Sequence, residues 1–125
     1  MTLVLTEESY WALASAVLKE VRESGMGGMN HACEMETSMM LHLHPDRVKM
    51  DKAKRDGPGY TDPYLLADMQ YGRPIFFVNE FHEVSKSGVV GRPELATAEK
   101  GKRFLDGIVD SVSTFVEAFA SWENW

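Results

Sequence analysis

The sequence contains one cysteine, Cys33, so no disulfide can close within it, and a reducing compartment suits it. It contains no apolar run near the ~20 residues that a membrane-spanning helix needs. Its opening stretch, MTLVLTEESY, has no basic lead and too short an apolar segment for a secretory signal. Positive charge is scarce as well. Thirteen Lys and Arg stand against 19 Asp and Glu, a formal net charge of −6, whereas a nucleic-acid partner demands a basic surface. The basic residues that do gather, from Arg47 to Arg55, are interleaved with Asp46 and Asp51 and followed by Asp56, the pattern of a solvated mixed-charge loop. A cytoplasmic protein with neither a membrane nor a nucleic-acid partner is expected.

What is present suits a single domain over residues 1–125, with 44% apolar residues available for a core. Thr6 is a good N-cap, and Tyr10, Leu13, Ala14, Val17, Leu18 and Val21 recur at helical spacing, predicting a helix over Glu7–Glu23 that breaks at SGMGG. A second helix is expected over Glu34–Leu43, stopped by Pro45. Tyr64–Met69 reads as a short helix. The apolar run PIFFV, Pro74–Val78, reads as a buried strand, and FHEVSKSGVVG as a further short strand and turn, with His82 structural on that strand. The last helix is expected over Thr97–Ser121, with Leu105, Ile108, Val109, Val112, Val116 and Phe119 as its apolar stripe. Gly101 and Gly107 inside it each cost ~1 kcal/mol relative to alanine, which points to close packing against a neighbour or to a later helix start.

The chemistry concentrates in GGMNHACEMETSMM. His31, Cys33, Glu34 and Glu36 follow Gly27 and Gly28 directly. Histidine and carboxylates bind zinc, manganese or iron, and histidine moves protons near neutral pH. On a helix His31 and Glu34 share a face while His31 and Glu36 do not; with His31 in the loop before the helix, all three could converge. Gly27 and Gly28 would then let the backbone pass close to a ligand. The plain alternative is a glycine loop leading to a helix N-terminus, with Glu34 and Glu36 meeting the helix dipole and the methionines as core. The spacing is neither H-E-x-x-H nor H-x-x-E-H. His42 and His44 stand two apart and diverge on a helix, and Cys33 reads as a small buried filler.

These residues also carry a resemblance. GGMNHACEMETSMML together with HPDRV is similar to the His-Ala-Gly-Glu-x-Glu-Thr-Ser segment of the creatininase (creatinine amidohydrolase) family. SKSGVVGRPELATAEKG resembles that family's closing motif, and LVLTEESYWALASAVLKEVRESG resembles one of its helices. The resemblance implies an α/β fold, here a partial three-layer α/β/α sandwich lacking its front half. It implies metal-dependent hydrolysis of a cyclic or linear amide C–N bond by a metal-activated water, and assembly as a homo-oligomer. It would make His31 a proton-transfer or substrate-contacting group, set Glu34 on the water or substrate, and make Glu36 a ligand for a divalent zinc, manganese or iron. Cys33 replaces the family's glycine, and Arg92 stands where aspartate is common. The family's Glu-x-His-Gly and Gly-His-Gly-Gly-Asn segments do not occur, so most metal ligands are missing. The expected function is accordingly an amidohydrolase acting on a small-molecule amide. The alternatives are a non-catalytic remnant or assembly module, and a binding domain without turnover.

Overall fold

The computed structural model describes residues 9–56, 64, 68–72, 75 and 80–122. Helices α1 (Tyr10–Leu13) and α2 (Ser15–Val21) follow one another with a break at Ala14, whose backbone leaves helical geometry at φ −90°, ψ 14°. The expected first helix is therefore interrupted once and ends two residues early. Its Thr6 cap lies outside the described residues. Ala14, Leu18 and Val21 are buried, as their spacing predicts, with Tyr10 and Val17 packed at the margin.

The chain turns through Gly25–Gly28 into β1 (Met29–His31), which pairs antiparallel with β2 (Val90–Gly91). Met29 faces Gly91 and His31 faces Val90, with an irregularity between the two pairs. Helix α3 (Glu34–Leu43) has the expected bounds. Helix α5 (Ala98–Ser121) starts where expected, because Thr97 Oγ1 accepts the Lys100 N–H at 3.1 Å and so caps one of the unpaired first-turn donors. The two helices pack against each other at close range. A Cβ on Gly101 would overlap the Ser38 carbonyl, and one on Gly107 would meet Val17 Cγ1 at 2.6 Å, so both glycines mark close packing. The core joins Ala14, Leu18, Val21, Met29, Cys33, Met35, Phe104 and Ile108.

Several expectations need correction. The buried face of α5 runs through Lys100, Gly101, Phe104 and Ile108. Val109, Val116 and Phe119 of the expected stripe are exposed, and the core-packed positions of α5 end at Val112. Beyond Val112, Phe115 and Phe119 stack on one another at 5.9 Å between ring centroids. His82 lies in a short helix, α4 (Phe81–Val84), not on a strand. Glu83 accepts the Glu80 N–H at 3.1 Å and closes a capping box that favours the helical turn. Met35 is core, but Met40 is largely exposed. The expected helix over Tyr64–Met69 falls partly outside the described residues; at its end, Asp68 and Gly72 bridge in a tight turn. The expected strand Pro74–Val78 lies outside the described residues except for Ile75, which sits in an exposed bend. Among the described residues no helix is long and apolar enough to cross a membrane.

Candidate functional site

Strand β1 ends at His31, and the chain enters α3 three residues later. Ala32, between them, adopts φ 47°, the one non-glycine residue with positive φ among those described. A left-handed alanine costs of order 1–3 kcal/mol, and such strain gathers where a structure must aim a side chain. The turn is held from both sides. Thr37 Oγ1 donates to the Ala32 carbonyl at 3.4 Å, and Glu36 accepts the Cys33 N–H at 3.2 Å. Glu36, in the first turn of α3, also meets the positive end of the helix dipole.

The three expected groups take three different environments. His31 is exposed, with its ring packed edge-on against Phe81 at 4.6 Å between centroids. Glu36 is half-buried and lines a groove of about 460 Å³ with Ala32, Thr37 and Met40 on one side and residues 47–53 on the other. Glu34 is fully buried and does not line that groove. Its carboxylate accepts the Glu23 N–H at 3.0 Å, the Ser24 N–H at 2.9 Å and the Lys100 ammonium at 2.8 Å. Burial pushes the Glu34 carboxyl up, but Lys100 and the Glu23 and Ser24 donors outweigh it and hold it below its ordinary value. Lys100 is in turn drawn down by burial and raised more strongly by Glu34 and Glu23, for a net rise. Thus Glu34 anchors α5 to the start of α3, while Glu36 and His31 remain accessible.

Cys33 is buried, and burial pushes its thiol up to about 11, outweighing the backbone donors around it, so it is a neutral filler near pH 7. The Tyr10 hydroxyl is also raised, by burial first and then by Glu36 and Cys33, which brings α1 to the same corner. Gly27 and Gly28 are buried. They approach a carboxylate of the protein itself: Gly27 N–H donates to Asp68 Oδ2 at 2.9 Å, and Met29 N–H at 3.4 Å. Arg22 grips the same Asp68 through two parallel bonds of 2.9 and 2.8 Å. Asp68 is the residue that sequence reasoning missed. It lies 41 positions from Gly27 in a polar stretch with no motif, and only the fold brings it to the loop.

Among the described residues no group of three or more His, Cys, Asp and Glu side chains could hold a metal ion. His42 and His44 are exposed at the far end of α3, and Glu34 is committed to Lys100. Glu36 alone is one carboxylate, already accepting a backbone N–H, whereas a catalytic zinc takes about three protein ligands. The described residues do not compose a metal centre.

An α/β domain in which a glycine-led strand passes a strained residue into a helix, presenting a histidine and a glutamate beside a groove, is the class that this geometry defines. Residues 2–116 match the Creatininase family, described as creatinine amidohydrolase, and the chain belongs to that family. It is 36% identical over 96 residues to the mycofactocin precursor peptide peptidase of Mycobacterium tuberculosis, covering 77% of this chain and 34% of that one. It is 28% identical over 112 residues to the creatinine amidohydrolase of Pseudomonas putida, covering 83% and 39%. A solved structure from Bacteroides fragilis, assigned as a creatinine amidohydrolase, matches with a TM-score of 0.69 at 26% identity, over 94% of this chain and 44% of that one. A manganese creatininase matches with a TM-score of 0.62 at 26% identity, over 89% and 41%. The chain thus spans between 34% and 39% of the length of these curated relatives, and its fold is a partial creatininase-like α/β fold.

Proposed function

We propose that this chain forms one wall of a hydrolytic site for a cyclic or linear amide C–N bond, with a small-molecule amide as substrate. The observation that supports it is the strained Ala32 turn, which separates an exposed imidazole from a groove-lining carboxylate within one short corner. Hydrolysis of an amide requires a proton to leave the attacking water and another to reach the departing nitrogen. An accessible imidazole nitrogen can accept one proton and deliver another, and His31 is assigned that role. Glu36 is assigned the carboxylate that orients the polar partner of the reaction. Relatives named as a peptidase and as a creatinine amidohydrolase are both amide-cleaving, which supports the reaction class. Divalent metal, whether zinc, manganese or iron, would need donors beyond the described residues, so no step is assigned to it. Glu34 is assigned no contact with water or substrate, since its three donors occupy it.

The family resemblance adds a homo-oligomeric state to this reading, which light scattering checks. The decisive experiment is an amide-hydrolysis screen in excess divalent metal, comparing the wild type with His31→Ala and Glu36→Gln. The reading expects turnover that both variants abolish while their unfolding curves stay close to that of the wild type. Turnover unaffected by His31→Ala removes it. The absence of turnover on every amide favours the second reading, an assembly module. That reading is supported by Glu34, whose burial against Lys100 serves packing alone.

A further inference from the structure

Residues 46–56 mix five basic residues with Asp46, Asp51 and Asp56, and the fold sorts them. Arg47, Lys49 and Lys52 line the groove beside α3. Asp46, Asp51 and Asp56, from the same run, do not line it, and Asp56 is engaged at its border, accepting the Ser87 N–H at 2.6 Å. That bond ties the end of the loop to the segment before β2, which borders the groove through Ser87 and Val89. Among the described residues none of the three cationic side chains has an ion-pair or hydrogen-bond partner. Glu36 is the one carboxylate in the lining. A protein of net charge −6 therefore has a groove bordered by three exposed cationic side chains and one carboxylate.

We propose that this groove recognises a carboxylate carried by the amide substrate itself, with Arg47, Lys49 and Lys52 as the recognising residues. The inference rests on the hydrolytic reading above and names its substrate class: acidic amides such as N-acyl amino acids or short peptides. The remaining walls are largely apolar, chiefly Met40, Val48, Val89 and Pro93. The planar fork of an arginine suits a carboxylate in two parallel bonds. Glu36 repels an anion, so a ligand's carboxylate seats against the cations and leaves its amide free for the Ala32–Glu36 edge. A volume of about 460 Å³ lies in the range of pockets for small organic ligands.

The test is binding, measured by NMR titration without turnover. N-acetylglycine carries an amide and a carboxylate; N-acetylglycinamide has the same shape without the charge. The acid is expected to bind about tenfold more tightly at low salt, with the advantage shrinking as salt rises. A variant combining Arg47→Gln, Lys49→Gln and Lys52→Gln should lose that preference, while Lys54→Gln, outside the lining, should keep it. The triple variant should melt like the wild type, because the exposed cations it removes make no ion pair or side-chain hydrogen bond among the described residues. Equal binding of the two ligands, or a preference that survives the triple change, overturns the proposal. An acid-selective groove on a chain that hydrolyses nothing keeps this inference and removes the hydrolytic one. Hydrolysis without acid selectivity does the reverse.

Discussion

At the scale of single residues, two buried carboxylates with different partners hold the corner together. Glu34 meets Lys100, and Asp68 meets Arg22, and both also accept backbone N–H groups from the chain between α2 and β1. Removing one partner of a buried pair leaves an uncompensated charge, so Lys100→Met is expected to cost about 3–5 kcal/mol in urea unfolding. Pairing it with Glu34→Gln should recover part of that loss, because an amide without a counter-charge is cheaper to bury than a carboxylate. The same pair sets a pH dependence. The folded pKa of Glu34 lies below its ordinary 4.5, so its contribution is complete above that value and lost as pH falls through the lowered one. The folded pKa of Lys100 lies above 10.5, so its share is complete below 10.5 and lost as pH rises through the raised value. Denaturant midpoints measured against pH should therefore be flat through neutrality, and the Glu34→Gln variant should lose part of the acid-side slope. A slope unchanged by that substitution would show that Glu34 is not perturbed by folding. Cys33, with its thiol pushed up to about 11 under full burial, should resist alkylation in the native protein and react only on unfolding.

At the scale of elements, the crossing of α3 over α5 is set by Gly101, which admits the Ser38 backbone. Alanine there gains ~1 kcal/mol of helix propensity. It also drives a methyl group into a peptide carbonyl, and overpacking of a tight contact costs about 1–3 kcal/mol or more. Gly101→Ala should consequently lower the melting temperature, and a rise would mean that the helices meet elsewhere. Elements with strong local signals were legible from the sequence: α3 and α5 begin and end where Thr97, Pro45 and the apolar spacing place them. Elements decided by neighbours were not. The exposed side of α5 reads as core because Val109, Val116 and Phe119 repeat at helical spacing, and no periodicity reveals which of the apolar positions a neighbour covers. The candidate site divides in the same way. His31, Glu34 and Glu36 stand out as a motif, but only contacts 66 and 41 residues apart show that Lys100 holds Glu34 and that Asp68 holds the glycine loop.

At the scale of the whole molecule, the question is whether this chain can bind a metal tightly without help. All four histidines, His31, His42, His44 and His82, are described and exposed, and they are dispersed over β1, the end of α3 and α4. With Glu34 locked to Lys100, Glu36 is the one motif carboxylate facing a groove. A divalent ion held there would keep most of its coordination shell as water. Such an ion does not bring a bound water down toward pKa ≈ 7, because that effect depends on a site that replaces water ligands and fixes the open position. Protein purified without added metal and then dialysed is therefore expected to carry well under one metal per chain by elemental analysis, and in that state to hydrolyse creatinine and related amides negligibly. Stoichiometric metal after dialysis, lost together with activity in Glu36→Gln, would contradict this. It would require further donors to reach Glu36 from beyond the described residues or from a second copy of the chain.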